Sequence, residues 1–142
     1  MAAYNNFEDF TEELVKGVHN FSSNVFKVYL SNDTPSASAD VNKADLAEIT
    51  GGNGYSAGGE TTTISLSRTG ATTTVSGTQV QWNATGSVGP FRYAVLYNDT
   101  AANDPLIAWW DYGSAVTLAN GESFTVKFSG TSPGAIFTLG VA

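Results

Sequence analysis

The sequence predicts a mainly β fold, a single-domain antiparallel β-sandwich or jelly-roll-like body with an N-terminal amphipathic helix. From residue 60 onward, Thr, Val and aromatic residues alternate with a period of two, which is typical of half-buried strands. Gly, Pro, Asn and Asp separate these runs, and short strands at such spacing indicate a sandwich or barrel. The 142 residues fit one domain. We expect the helix in residues 1–20, a strand, loops and a glycine-rich junction in 21–59, and the β body in 60–142.

Residues 5–19 are predicted to form the helix. Asn6 is the expected N-cap, and Glu8 and Asp9 suit the first turn, where the helix dipole favours negative charge. His19 is expected to be an exposed cation at the helix end rather than a metal ligand. Five apolar residues recur at helical spacing and form one stripe: Phe7, Phe10, Leu14, Val15 and Val18. The two phenylalanines of this stripe need a substantial surface to pack against, either in the chain's own domain or in a neighbouring subunit.

The rest of the chain is predicted to consist of strands, loops and one helical turn. Residues 25–30 are nearly continuous in β-forming residues, which indicates a strand buried on most sides. A polar loop in 31–40 and a short helical turn in 42–49 follow. The strands predicted beyond residue 60 are 62–68, 72–77, 78–83, 91–97, 106–111, 115–118, 122–128 and 135–141.

Alternation also predicts which side chains share a face of a strand. Along 124–128, Thr125 and Lys127 are expected to face water while the intervening apolar residues face the core. The residues of strand 91–97 that are expected on one face are Phe91, Tyr93, Val95 and Tyr97.

Composition excludes several classes of function. Thirteen acidic and six basic residues give a net charge of −7, and no basic run occurs, so a nucleic-acid partner is not expected. Without cysteine the chain has no disulfide, thiolate metal site or cysteine nucleophile. No apolar run approaches the roughly 20 residues that cross a bilayer, so no membrane partner is expected. No signal peptide is visible, and the composition suits a protein folded in a cytoplasm.

Two catalytic fingerprints overlap in GGNGYSAGGE, residues 51–60. Residues 54–58 match the nucleophile elbow G-x-S-x-G, and 52–57 match the looser dinucleotide pattern G-x-G-x-x-A. The elbow requires a helix directly after the serine, but a strand is predicted after Ser56, and the single histidine precedes the serine. The dinucleotide pattern requires a preceding strand, whereas a helical turn is predicted there. The favoured interpretation is an irregular loop anchored by packing of Tyr55, with no catalytic residue and no cofactor.

The aspartates do not predict a metal site. Asp99, Asp104 and Asp111 can be imagined as a calcium cluster, but they lack the Asp-x-Asp-x-Asp spacing of a calcium loop. Aspartates in loops more often cap turns. We therefore expect no bound metal.

Trp109 and Trp110 are adjacent on a predicted strand and should point to opposite faces. One ring can then fill the core while the other is exposed. Core packing is the favoured interpretation of the pair, but an exposed tryptophan beside Tyr112 could stack on a sugar or anchor an interface. The candidate partner contacts are Phe7, Phe10, Trp109, Trp110 and Tyr112.

Five stretches are characteristic in their joint order: VHN (18–20), FKVYLSNDTP (26–35), GNGYSAGG (52–59), GPFRYAVLYNDT (89–100) and PLIAWWDYG (105–113). Together they resemble a family of small tailed-bacteriophage virion structural proteins, and the similarity covers nearly the whole chain. The resemblance implies a place in the phage particle more than a role there. It brings no catalytic residues with it.

The resemblance leads to two expected functions. The first is a non-enzymatic protein that decorates or cements the capsid exterior as a homo-oligomer, with the major capsid protein or other virion proteins as partners. An acidic protein suits a position away from packaged DNA. The alternative is a tail or fibre component that binds a host receptor or surface glycan through Trp110 and Tyr112. Either protein is made in the host bacterial cytoplasm and resides in the virion. An esterase that uses Ser56 is a third hypothesis, which the missing motif context disfavours.

Overall fold

A computed structural model describes residues 2–140 and gives the bounds of each element. An α-helix, α1, spans Glu8–Val15, a short 3₁₀ turn spans Lys43–Asp45, and a kinked turn with Ser129 at a φ of 52° spans Phe128–Gly130. The strands are β1 Asn5–Asn6, β2 Phe26–Ser31, β3 Glu60–Thr62, β4 Ile64–Thr69, β5 Thr72–Gly77, β6 Val80–Asn83, β7 Val88–Asn98, β8 Leu106–Leu118, β9 Ser123–Val126 and β10 Gly134–Gly140. The prediction of a mainly β fold with a short N-terminal helix is confirmed.

The strands form three antiparallel sheets. The main sheet has the order β1-β8-β7-β2-β3, the second sheet has the order β10-β5-β4, and β6 pairs with β9. One apolar cluster draws buried side chains from all three sheets, for example Val28, Val75 and Trp82. The sheets therefore pack over a shared core in a β-sandwich-like single domain, as predicted.

The central strands of the main sheet bury both faces, which explains their nearly continuous apolar sequence. Along β2, Val28 and Leu30 enter the larger cluster, while Tyr29 between them enters a smaller cluster on the opposite face. The smaller cluster contains Phe7, Tyr29, Leu46, Tyr93, Val95, Tyr97 and Leu106, with Trp109 packed against it. The prediction that the strand after the N-terminal segment is buried on most sides is confirmed.

The N-terminal helix is shorter than the predicted range 5–19. The residues expected to open it form β1, which pairs with β8 at the edge of the main sheet, so Phe7 rather than Asn6 is the N-cap. The helix ends at Val15, and Gly17 adopts a φ of 82°, which is typical of a chain leaving a helix. Val15 is 89% exposed, so the buried stripe is narrower than predicted. No helix among residues 2–140 is long and apolar enough to cross a membrane.

In strand β7, the prediction that Phe91 shares a face with Tyr93 and Val95 is wrong. The pairing of β7 with β8 shifts register on both sides of Phe91, so this residue does not continue the alternation of Tyr93 and Val95. Phe91 packs in the larger cluster, whereas Tyr93 and Val95 pack in the smaller one. On β9 and the turn after it, Thr125 and Lys127 are exposed as predicted.

Several other boundaries differ from their predictions. The strands predicted over 106–111 and 115–118 are one continuous strand, β8, and the strand predicted over 62–68 is divided between β3 and β4. The helical turn predicted over 42–49 covers only Lys43–Asp45. The predicted bounds of β5 are confirmed. The last predicted strand ends on Val141, which lies outside the described residues.

Candidate functional site

Trp109 and Trp110 point to opposite faces of the main sheet, as predicted. The Trp109 ring packs 4.7 Å from the ring of Phe7, centroid to centroid, beside the smaller cluster. The Trp110 ring lies 5.9 Å from Tyr4 and 5.2 Å from Phe128, beside the larger cluster. Each tryptophan is half-buried, so both contribute to packing and both retain some accessible surface.

Phe7 and Phe10 are buried, so the prediction that they contact a partner is wrong. Phe7 is fully buried, and its backbone N–H donates to the carbonyl of Ile107 at 3.0 Å. Phe10 packs edge-on against Phe21 and Phe137 at 6.2 and 5.5 Å. The chain's own domain supplies the surface that these two phenylalanines need.

Tyr112 and Trp110 meet in a surface groove of about 380 Å³ that we call the aromatic groove. β7 and β8 supply one wall, and β9 with the turn that follows it supplies the other. Tyr112 is 59% exposed and packs edge-on against Phe124 at 5.5 Å. Residues that define the groove are Arg92, Trp110, Tyr112, Phe124, Val126 and Lys127. An apolar floor beside a few charged groups is the usual composition of a binding site.

The charged groups of the aromatic groove are mostly basic. The Arg92 guanidinium binds both carboxylate oxygens of Asp111, at 2.8 and 3.0 Å. Arg92 and a backbone N–H from Gly113 hold the pKa of Asp111 below its usual value, and Asp111 raises the pKa of Arg92. Lys127 forms no salt bridge among residues 2–140. Its ammonium group is therefore the charge in the groove that an incoming carboxylate could bind.

The glycine-rich loop is anchored by Tyr55, as predicted. The Tyr55 ring is buried, and its hydroxyl donates to Oε1 of Glu48 at 2.8 Å while accepting the N–H of Leu30 at 3.0 Å. Burial is the main reason that the pKa of Tyr55 lies above its usual value. Oε1 of Glu48 also accepts the N–H of Gly58 at 2.6 Å, and Oε2 pairs with Lys43 at 2.7 Å. One carboxylate thus joins the loop to the segment before it.

Ser56 lies in this irregular loop between a 3₁₀ turn and β3, without the strand–turn–helix arrangement of a nucleophile elbow. The glycines of this loop have a structural role. Gly59 has a φ of 80°, and a side chain there would overlap the carbonyl of Val28. Gly54 has a φ of 95°, and a side chain there would likewise overlap the carbonyl of Asn83. These glycines let the loop backbone lie directly on neighbouring strands.

His19 is only 5% exposed, so the prediction of an exposed cation is wrong. The Asn98 amide donates to its Nδ1 at 3.1 Å, and Nε2 has no hydrogen-bond partner among residues 2–140. Burial lowers the pKa of His19 to about 4, although the carboxylate of Glu13 opposes this shift. The imidazole is therefore neutral at pH 7, packed among the aromatic rings of Phe10 and Phe21.

The three aspartates considered as calcium ligands have separate roles. Asp99 forms a salt bridge with Lys27 at 3.2 Å, and Asp111 binds Arg92. Asp104 accepts the N–H of Lys43 through its backbone carbonyl at 2.9 Å. Within residues 2–140 no three His, Asp or Glu side chains come together in a cluster that could hold a metal ion.

The sheet β10-β5-β4, which we call the outer sheet, packs one apolar face on the larger cluster. Two leucines of that face remain accessible, which the sequence did not single out. Leu66, Val75 and Phe137 are aligned across its three strands. Leu66 is 48% exposed and Leu139 is 57% exposed. These residues line a groove of about 400 Å³ beside the end of α1. The signal for this in the sequence was the alternation of Ile64 and Leu66 with serines on β4.

Comparison of the chain with models of protein families, with curated proteins and with solved structures gives no match in any of the three.

Proposed function

We propose that this chain is a non-enzymatic structural protein of a tailed-phage particle that decorates or cements the capsid exterior through protein–protein contacts. The observation that carries the proposal is the aromatic groove, which brings Trp110, Tyr112 and Arg92 together at the surface. Trp, Tyr and Arg are the residue types most enriched among those that dominate binding energy at protein interfaces. The resemblance of five sequence stretches to phage virion proteins supports the particle as the setting.

The chemistry of the aromatic groove favours a particular kind of partner segment. Its apolar floor suits an aromatic or aliphatic side chain, because burying such a group removes apolar surface from water. Lys127 suits a carboxylate beside that side chain, whereas the charge of Arg92 is already paired with Asp111. We propose that a capsid protein presents an apolar side chain next to an acidic one at this groove.

The experiment measures binding of the purified chain to particles that lack it. Tyr112→Ala and Lys127→Ala should each weaken binding by about tenfold, since each removes a contact that the partner would make. Val15→Ala is the matched control, because Val15 is highly exposed but lies outside the groove. Equal binding of all three variants would contradict the groove as the capsid contact.

Copy number tests the decorating role separately. A decorating or cementing protein occupies repeated positions on the shell, so quantitative mass spectrometry of purified virions should find it at a stoichiometry comparable with that of the major capsid protein. A few copies per particle would exclude decoration.

Receptor or glycan binding by a tail or fibre component is the second candidate. It is favoured by the accessible rings of Trp110 and Tyr112, because sugars present apolar faces that stack on aromatic rings. For this function, Tyr112→Ala should reduce adsorption of particles to host cells, and host surface glycans should quench tryptophan fluorescence. A decorating protein should leave adsorption unchanged.

A further inference from the structure

The outer edge of β4 has no strand beside it in the described part of the chain. β4 pairs with β5 on one side without a register shift, and no other backbone hydrogen bond involves its residues. Every residue from Ser65 to Thr69 is exposed. Because every second residue of an edge strand points its N–H and C=O groups outward, this edge offers unpaired donors and acceptors to another strand.

β4 has few of the features that usually prevent edge-to-edge pairing. It contains no proline and no bulge, and its only charged residue is Arg68. In fact Arg68 is the only charged residue between Glu60 and Arg92, although the chain as a whole carries a net charge of −7. Two copies can therefore approach each other at this hairpin without bringing their acidic residues together.

We propose that β4 is the contact of a homodimer, in which the β4 strands of two copies pair antiparallel around a two-fold axis at Leu66. The two outer sheets then join into one continuous sheet. In antiparallel pairing the residues directly opposite each other share a face, so the two copies of Leu66 meet on the apolar face. Arg68 lies opposite Ile64 of the second copy, and the two arginines stay apart. This inference does not depend on the aromatic groove or on the phage setting.

The first test is the oligomeric state of the purified full chain, measured by sedimentation velocity over a range of micromolar concentrations. The unaltered chain should be dimeric. Leu66→Lys places two like charges opposite each other at the axis and should weaken dimerisation by at least about tenfold. Leu139→Lys is the matched control, since Leu139 is similarly exposed on the same sheet but lies on β10, away from the proposed contact. It should remain dimeric.

The second test uses the absence of cysteine from the chain. Opposite residues in an antiparallel pair have Cα atoms about 4.5–5.5 Å apart, which is within the range of a disulfide. Leu66→Cys should therefore form a covalent dimer on mild oxidation, and Leu139→Cys should not. A monomeric unaltered chain, an oligomer that persists in Leu66→Lys, or equal cross-linking of the two cysteine variants would each overturn the proposal.

Discussion

Replacing Tyr55 by phenylalanine removes one hydroxyl group that hydrogen-bonds two groups of the core at once. β3 pairs with β2 only as far as Val28, so the next outward N–H of β2, that of Leu30, has no strand partner on that side. The Tyr55 hydroxyl accepts this N–H and donates to the Glu48 carboxylate. Tyr55→Phe leaves the ring in place and removes only these two hydrogen bonds.

The expected loss of stability follows from both groups. A buried backbone N–H without a partner costs about 1–3 kcal/mol, and a hydrogen bond to a charged group contributes about 1.5–3 kcal/mol. Glu48 keeps its contacts with Lys43 and Gly58, so part of the second contribution is retained. We expect the free energy of unfolding to fall by about 3 kcal/mol and Tm to fall by roughly 10 °C.

Chemical denaturation and thermal unfolding, both followed by circular dichroism, measure this change. Tyr112→Phe is the matched control, because the Tyr112 hydroxyl forms no hydrogen bond among residues 2–140 and its side chain is exposed. Its stability should stay within about 0.5 kcal/mol of the unaltered chain. If Tyr55→Phe were as stable as Tyr112→Phe, the role assigned to the Tyr55 hydroxyl would be refuted.

Three further predictions concern the loop and the buried histidine. In denaturation experiments, Gly59→Ala should lower the free energy of unfolding by at least about 3 kcal/mol, because the Cβ of the new alanine would overlap the Val28 carbonyl. Gly70 also has a positive φ but has open space around it, so Gly70→Ala should lower the free energy of unfolding by only about 1 kcal/mol. His19 has a folded-state pKa of about 4 and an ordinary pKa near 6.5 when unfolded, so its contribution to stability is present above pH 6.5 and is lost as pH falls towards 4. His19→Gln should therefore show a smaller loss of stability than the unaltered chain over that range, and equal losses would contradict this account. A fluorophosphonate probe should label neither the unaltered chain nor Ser56→Ala, and labelling that depends on Ser56 would revive the esterase hypothesis.

Patterns that depend on neighbouring residues predicted the structure well. The bounds of β5 and the opposite faces of Trp109 and Trp110 follow from period-two alternation, which the pleat of a strand imposes on its side chains. Turn-forming glycines and an aromatic residue predicted an anchored loop at Tyr55. The strand bounds and faces depend on constraints that act within a few residues of the chain, whereas Leu30 and Glu48, the partners that hold Tyr55, are visible only in the fold.

Features that depend on distant contacts were not predictable in the same way. Register shifts between β7 and β8 move Phe91 to the other face, and a single strand's sequence does not show where its partner shifts. His19 follows the helix in sequence, but packing against Phe21 and a hydrogen bond from Asn98 bury it. The aromatic groove needs β9 to lie beside Tyr112, a proximity that only the tertiary fold creates.

The anchoring of the glycine-rich loop has a consequence for local motion. The N–H of Gly58 is held by Glu48, and its carbonyl accepts the hydroxyl of Tyr97, which belongs to the centre of the main sheet. Opening the loop therefore requires breaking hydrogen bonds to residues of β2 and β7. In amide hydrogen exchange, the N–H groups of Gly58 and Leu30 should exchange about as slowly as those of the central strands. A segment whose composition suggests a hinge would then open only when the main sheet opens.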